Sequence, residues 1–193
     1  MHFTAEEQAV IREKMFTEGI QLFKQYGPRR LTVDKLTKSC GIGKGTFYHF
    51  YESKEAYLSA LEEYCSNHIA MMLAEALGGR KQMTTHEFFL FFRKYLQCDY
   101  DLLQFMSIED FLWVQRHLIA PENFYTKEQM PVLERCLALM SDAQKDLNKG
   151  LVMNLVKSIY AMREVRANLV EEALPDTIEF MLVQIEKYIT GEE

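Results

Sequence analysis

Side chains that could bind a polyanion are concentrated in residues 24–54 of the sequence. This stretch holds seven Lys or Arg residues against two acidic ones, whereas the whole 193-residue chain has a formal net charge of −6. Such an asymmetry is typical of a small anion-binding module joined to a neutral or acidic remainder. One cation has a specific position: Ser53 is a predicted helix cap, so Lys54 falls at the positive N-terminus of a helix. A cation is mildly unfavourable there, but together with the helix end it would bind a phosphate strongly.

Two short helices in the same stretch form a recognisable unit. Thr32 is predicted to cap the first helix, Gly41 ends it, and a second helix follows over residues 43–50. Two such helices joined by a glycine turn are a helix-turn-helix, whose second helix can enter the major groove of DNA. Helical periodicity turns Phe47 and Phe50 inward. The outward and flanking positions are those of Gly45, Thr46, Tyr48 and His49.

The string LTVDKLTKSCGIGKGTFYHFYESKEAYL, Leu31 to Leu58, resembles the DNA-binding signature of the TetR family of transcriptional regulators. The resemblance implies three N-terminal helices and about six more in a divergent regulatory domain. It also implies a homodimer whose last two helices form a four-helix interface, a palindromic operator on double-stranded DNA, and usually a small-molecule inducer. By resemblance, the DNA-contacting positions are Thr32, Lys44, Thr46, Tyr48, His49 and Lys54, and Gly45 is added because it leaves the outermost face open.

One residue departs from the family pattern. Gly43 stands where family members often carry a hydroxyl or a longer polar residue that caps the recognition helix or touches DNA. Few side chains are therefore predicted to contact the DNA bases. Lys44 is the expected direct reader, with guanine as its expected partner.

Other chemistries are disfavoured by residue spacing. The string GIGKGT from Gly41 resembles a phosphate-binding P-loop, but no strand precedes it and Gly45 stands where Ser or Thr should follow the lysine. His86-Glu87 lacks the second histidine of a zinc protease, and no Glu-x-x-His motif supports a di-iron site. The four cysteines are too widely spaced for a zinc site or a disulfide framework and are expected to be reduced core residues. We therefore expect no catalytic residue, no metal and no cofactor.

Apolar residues repeat at three or four throughout, which predicts an all-α chain. In the first helix the predicted inner stripe is Ile11, Met15, Leu22 and Tyr26. We expect a helix-turn-helix domain over residues 1–53 and a roughly six-helix bundle over residues 54–193. The later helices are predicted from residue 54 to about 77, from a capping box of Thr84 and Glu87 through residues 88–96, from 107 to 119, over about 127–147, over 151–169 and over 175–189. The helix over 88–96 is apolar around most of its circumference and is expected at the centre of the bundle.

The bundle is predicted to bind an apolar or aromatic ligand. Its candidate contacts are the aromatic residues Phe88, Phe92, Tyr95, Phe105, Phe111, Trp113 and Tyr125. A ligand wedged between the long fourth helix and residues 88–95 would tilt that helix and move Lys54 out of register with the operator. A second interpretation remains open, in which these aromatic residues form a packed core and bind no ligand.

The last two helices carry apolar faces that we expect to pair between two copies of the chain. The candidate interface residues are Leu151, Leu155, Ile159, Met162, Ile178, Met181, Leu182 and Ile185. No signal peptide or membrane span is predicted, so a cytoplasmic protein is expected. A second hypothesis is a helical-bundle interaction or ligand-carrier protein that no longer binds an operator; the basic segment at 24–54 favours the DNA-binding alternative.

Overall fold

The structure, a computed structural model, describes residues 3–118 and 129–192 of the chain. Within them the chain forms nine α-helices and no named strand, as the hydrophobic periodicity predicts. In chain order they are α1 (Ala5–Arg30), α2 (Val33–Cys40), α3 (Lys44–Phe50), α4 (Lys54–Leu77), α5 (Thr85–Tyr95), α6 (Ile108–His117), α7 (Gln129–Leu139), α8 (Lys149–Glu164) and α9 (Leu174–Thr190).

Two of the predicted helices are shorter in the structure. The helix expected over residues 127–147 ends at Leu139, because Met83 draws the following backbone into an isolated β-bridge with Met140. The Met83 N–H donates to the Leu139 carbonyl at 2.9 Å, and the Ser141 N–H donates to the Met83 carbonyl at 2.8 Å. The helix expected to reach residue 169 ends at Glu164 and is followed by short 3₁₀ turns. Residues 119 and 127–128 of the predicted helices lie outside the described residues.

The described residues divide into two compact units. The first contains residues 3–69 and 99–118, and the second contains residues 70–98 and 129–192. This division differs from the predicted boundary after residue 53, because the first two-thirds of α4, residues 54–69, and all of α6 pack with the N-terminal helices. Which functions the two parts carry remains a prediction.

The first unit is organised around a glycine and a tyrosine on different helices. Tyr57 of α4 is fully buried, and its hydroxyl donates to the Met15 carbonyl of α1 at 2.8 Å. It reaches that carbonyl by crossing Gly19, where an added Cβ would overlap the tyrosine oxygen. The buried side of α1 therefore includes Gly19, which the predicted stripe left out. Of that stripe only Met15 is buried, and the buried neighbours are Gly19, Ile20 and Phe23.

The second unit places α5 against α9. Phe88, Phe89 and Phe91 of α5 are buried, which agrees with a central position, although Leu90 is 47% exposed. The Arg93 guanidinium makes a two-pronged contact with the Glu179 carboxylate of α9, with N···O distances between 2.8 and 3.0 Å. Apolar packing and an ion pair therefore join the two helices.

Two further features bear on function. None of the helices in the described ranges is long and apolar enough to span a membrane. Across the same ranges, no cluster of three or more His, Cys, Asp or Glu side chains is arranged to hold a metal ion. The four cysteines carry thiol groups; Cys40 and Cys65 are buried, and Cys98 and Cys136 are only half-buried rather than core residues.

Candidate nucleic-acid interface

The turn between α2 and α3 has the geometry that its sequence predicts. The Thr32 hydroxyl accepts a hydrogen bond from the Lys35 N–H at 3.2 Å, so it caps α2. Gly41 adopts a left-handed conformation with φ 66°, which glycine takes without strain. The next N–H, that of Ile42, donates back to the Thr37 carbonyl at 2.9 Å. This closed turn fixes the direction in which α3 leaves α2.

Helix α3 has one buried side and one open side. Phe47 is fully buried, while Tyr48 is 55% exposed and Lys44 and His49 are exposed as well. A Cβ added to Gly45 would meet no heavy atom within 4 Å, so the outermost face carries no side chain and no obstruction. A groove of DNA could therefore approach the backbone of α3 closely. Gly43, the N-cap residue, offers no side-chain hydrogen bond to the helix.

An aromatic contact that the sequence did not suggest supports the end of α3. Phe50 is only half-buried, and the Arg12 guanidinium lies 5.4 Å from its ring centroid. Phe3, which precedes α1, stacks on Phe50 with centroids 6.2 Å apart and lies 5.9 Å from the ring of His49. The N-terminal segment thus borders the exposed side of α3. No periodicity signals this contact, because Phe3 lies outside any helix.

The expected base-reading lysine is paired within the chain. The Lys44 ammonium lies 2.7 Å from a carboxylate oxygen of Asp34 on α2, and both side chains are exposed. The Asp34 carboxylate, as hydrogen-bond partner and as charge, raises the pKa of Lys44. Lys44 therefore stays cationic, and its acidic partner lies on the neighbouring helix of the same motif.

Lys54, the second lysine of the predicted DNA-contacting set, is less exposed than the exposed side chains of α3. It is half-buried, its ammonium donates to the Arg29 carbonyl at 2.9 Å, and it lies 4.7 Å from the ring centroid of Trp113 on α6. Burial lowers the pKa of Lys54. Arg29 lies beyond the break at Gly27, in the single turn that ends α1, so its carbonyl rather than the dipole of α1 offsets the unfavourable position of Lys54 at the N-terminus of α4.

The acidic first turn of α6 holds Arg29 in place. The Arg29 guanidinium lies 3.0 Å from a Glu109 oxygen and 3.3 Å from an oxygen of the buried Asp110. The backbone breaks at Gly27, whose φ is 70°, and a Cβ added there would come within 2.6 Å of the Asp110 carboxylate. Glycine is therefore required at this kink both for its conformation and for the approach of Asp110.

Other cations of residues 24–54 are also engaged inside the first unit. The Lys35 ammonium donates to the Arg30 carbonyl at 2.8 Å and lies 4.1 Å from the ring centroid of Tyr26. Lys24 forms an ion pair of 2.7 Å with Asp99. The positive charge counted along the sequence is therefore partly neutralised by the chain itself.

The predicted ligand-contacting residues are distributed between the two units. Phe88, Phe92 and Tyr95 lie on α5 in the second unit, and Phe92 and Tyr95 are half-buried. The first unit holds Phe105, Phe111 and Trp113, each half-buried, whereas Tyr125 lies outside the described residues.

A small cavity lies beside one of these aromatic residues. The cavity, of about 190 Å³, borders Trp113 and is also lined by Arg29, Glu109 and Arg116. It is smaller than the usual 300–1,000 Å³ of a drug-sized ligand site.

Three of the predicted interface residues are covered within the single chain. Ile159, Leu182 and Ile185 are at most 2% exposed, so they belong to the core of the second unit. The premise that one chain cannot cover these faces is therefore wrong for them, because α8 and α9 pack on each other and α9 also packs on α5. Of the remainder, Leu155, Met162, Ile178 and Met181 are half-buried and Leu151 is 41% exposed.

The N-terminal region matches a known family in sequence. Residues 17–61 match the model of bacterial regulatory proteins, tetR family. An uncharacterized HTH-type transcriptional regulator of Bacillus subtilis strain 168, YerO, is 36% identical over 72 residues. That match covers 36% of this chain and 25% of YerO, so the sequence similarity spans about a quarter of the length of the relative.

Solved structures resemble the chain over nearly its whole length. A TetR family transcription regulator from Marinobacter aquaeolei VT8 has a TM-score of 0.58 at 15% identity, covering 96% of this chain and 98% of its own. The transcriptional regulator FadR from Bacillus subtilis, solved in complex with stearoyl-CoA, has a TM-score of 0.55 at 14% identity, covering 94% of this chain and 99% of its own. At such identities these likenesses show the shared fold.

Proposed function

We propose that this chain, which belongs to the tetR family of bacterial regulatory proteins, is a cytoplasmic repressor that binds a palindromic operator as a homodimer and is released by an apolar or aromatic ligand. The observation that best supports DNA binding is the open face of α3. Lys44, Tyr48 and His49 are exposed around Gly45, on a helix anchored by the buried Phe47. A short helix with a buried anchor and an unobstructed outer face suits insertion into the major groove.

The residues divide by the part of DNA that each would contact. Lys44, at the first position of α3, would read a guanine, and Tyr48 and His49 would reach the phosphate backbone beside it. Lys54 would contact a phosphate at the N-terminus of α4 with the N–H groups that the Arg29 carbonyl does not use. Thr32 already caps α2, so a phosphate contact would be its second role.

Selection of bound sequences from a random duplex library tests this proposal. We expect a palindrome whose half-sites lie about one helical turn apart, and an affinity that falls steeply with salt because phosphate contacts release counterions. Lys54→Ala should weaken binding to all sequences and reduce the salt slope by about 1 per protomer, whereas Lys44→Ala should also relax the preference at particular bases. Equal affinity for all duplexes, or no binding at low salt, would contradict the proposal.

We place the homodimer contact on the exposed apolar side chains of the second unit. Phe180 of α9 is 66% exposed and Val183 is 36% exposed, and Val170, which precedes α9, is 70% exposed. Exposed apolar groups of this size on two successive turns of one helix suit a self-complementary interface. Ile185, by contrast, is fully buried, and a charge there would unfold the second unit rather than separate two copies.

Sedimentation of charge variants tests the interface. Phe180→Glu should convert a dimer into a monomer and weaken operator binding. Val10→Glu is the matched control, because Val10 is 68% exposed on α1 and should tolerate a charge without dissociation. A wild-type protein that sediments as a monomer at micromolar concentration would refute the dimer.

The ligand proposal is supported by the aromatic face of α5. The rings of Phe88 and Phe92 stack at 6.3 Å, and those of Phe92 and Tyr95 stack at 5.7 Å. Such a row offers large apolar contact area with few charges. The test titrates fatty acids, acyl-CoA thioesters and aromatic compounds into the protein–operator complex, with Phe92→Trp as the variant that fills the space beside α5. An inducer that acts equally on both proteins, and whose hydrogen-exchange protection lies outside α4–α7, would place the site elsewhere.

A further inference from the structure

We propose that Trp113 is a positioning residue for DNA binding: it holds the Lys54 ammonium at the N-terminus of α4 in the place from which Lys54 contacts a phosphate. This inference rests on the proposed function and assigns a task to a residue that sequence analysis placed among ligand contacts. It is carried by the contacts of Trp113, Lys54 and Arg29, all within the first unit.

Two groups on different helices locate the ammonium. The Arg29 carbonyl of α1 accepts one of its hydrogen bonds at 2.9 Å, and the face of Trp113 lies 4.7 Å away. An indole face attracts a cation through its quadrupole, and more strongly when the cation is partly removed from water, as Lys54 is. An ammonium has three N–H donors, so the carbonyl and the ring leave donors that can bind a phosphate.

Helix α6 controls both groups. Trp113 belongs to α6, and Glu109 and Asp110 of the same helix hold the Arg29 side chain at 3.0 and 3.3 Å. Asp110 also packs on Gly27, at the break that ends the regular part of α1. The carbonyl and the ring are therefore fixed by one helix, and a shift of α6 would move the lysine relative to α4.

Trp113 could either position the Lys54 ammonium for a phosphate or hold it away from DNA, and the contacts fit the first role better. A lysine side chain loses much rotamer freedom when it binds a phosphate, and a residue that has already restricted it lowers that cost. Lys54 is half-buried rather than enclosed, so binding does not require it to leave the ring. Removing the ring should therefore weaken DNA binding, whereas removing a sequestering ring would strengthen it.

The experiment measures the affinity of the full-length protein for a fluorescently labelled duplex of mixed sequence over a range of salt concentrations. Trp113→Leu should weaken binding by roughly two- to thirtyfold per protomer, as expected for a lost cation–π contact. It should also reduce the salt slope toward that of Lys54→Met. Trp113→Phe keeps a ring and should lie between wild type and Trp113→Leu. The double variant Lys54→Met with Trp113→Leu should bind no worse than Lys54→Met alone.

A chemically matched control is present in the same unit. Lys35 also donates to a carbonyl in the last turn of α1 and lies over a ring, that of Tyr26, which belongs to α1 rather than α6. Tyr26→Leu should leave the salt slope unchanged.

Fluorescence gives a second measurement that does not depend on the folding of a Trp113 variant. The chain contains one tryptophan, so its emission reports on Trp113 alone. Lys54→Met should alter that emission, whereas Lys24→Met, which removes a cation 5.3 Å from the Phe105 ring centroid, should not.

The outcomes separate this inference from the proposed function. If wild type binds the duplex and Lys54→Met weakens it while Trp113→Leu does not, or strengthens it, the positioning role is refuted and DNA binding stands. If Lys54→Met binds as wild type does, the phosphate role and this inference both fail. If wild type binds no duplex at low salt, the proposed function fails as well. An emission that Lys54→Met leaves unchanged refutes the contact itself.

Discussion

Gly45→Ala should stabilise the protein and weaken its binding to DNA. Gly45 is the second residue of α3, it is exposed, and an added Cβ would touch no heavy atom within 4 Å. Glycine within a helix costs about 0.5–1 kcal/mol relative to alanine, so the substitution should raise the free energy of unfolding by about that amount. For a chain of this size the gain corresponds to a rise in melting temperature of roughly 1–4 °C.

The same methyl group should obstruct the approach to DNA. It would stand on the outermost face of α3, between the exposed side chains of Lys44 and His49, where the groove must come closest. We expect a loss of operator affinity with an unchanged salt slope, because no phosphate contact is removed. Chemical denaturation and fluorescence anisotropy with labelled operator measure the two effects.

Gly150→Ala is the matched control for this pair of measurements. Gly150 is likewise the second residue of its helix, α8, and a Cβ there would lie 3.3 Å from a side-chain oxygen of Asn148. It should leave DNA affinity unchanged, and its gain in stability should be smaller than that of Gly45→Ala, because the added methyl group crowds the Asn148 oxygen that caps α8. A Gly45→Ala protein that is more stable and binds operator as tightly as wild type would refute the close approach of α3 to DNA.

Three other substitutions test further contacts. Asp34→Asn removes the carboxylate 2.7 Å from the Lys44 ammonium and should raise affinity for all duplexes severalfold, with little change in melting temperature; a lower affinity would mean that the acid orients the lysine productively. Gly19→Ala should displace the Tyr57 hydroxyl and cost about 2–5 kcal/mol of unfolding free energy, and adding Tyr57→Phe should recover part of it, which denaturation curves will show. Phe3→Ala removes the ring beside the exposed end of α3 and should reduce operator affinity without changing the melting temperature by more than a few degrees; unchanged affinity would exclude a role for the N-terminal segment.

Local sequence rules predicted the helix-turn-helix because its determinants lie within a few residues of one another. Thr32 caps α2 by accepting a hydrogen bond from the N–H of Lys35, three residues later, and Gly41 is the left-handed residue at the turn. The buried and exposed sides of α3 follow from helical periodicity alone, since Phe47 and Tyr48 are adjacent and point to different surroundings. The capping box at Thr84 likewise fixes where α5 begins.

Contacts between distant segments escaped prediction for a physical reason. The stripe predicted for α1 assigned burial by apolar type, but Gly19 is buried because Tyr57, 38 residues later in the sequence, needs the space. The predicted apolar faces of α8 and α9 were assigned to a partner chain, yet Ile159 and Ile185 are covered within their own unit. Periodicity identifies which residues share a face, and it carries no information on which surface covers that face.

The charge count of residues 24–54 had the same weakness. Asp99 and Glu109 lie far along the chain and pair with Lys24 and Arg29 of that segment. A sum over consecutive residues counts these cations as available to DNA, whereas the fold has already assigned them partners. The positive charge that stays exposed after folding includes Lys44 on α3 as well as Arg30 and Lys38, and it is smaller than the sum suggests.

The two lysines expected to contact DNA are controlled by different parts of the first unit. Lys44 faces Asp34 within the helix-turn-helix itself, whereas Lys54 lies between the Arg29 carbonyl and Trp113 of α6. We therefore expect base reading to depend on contacts local to α2 and α3, and the phosphate contact of Lys54 to depend on the position of α6. An effector that displaces α6 should reduce the salt slope of DNA binding while leaving the order of preference among operator sequences intact. Measuring both quantities with and without an inducer tests this division, and a change in sequence preference at constant salt slope would contradict it.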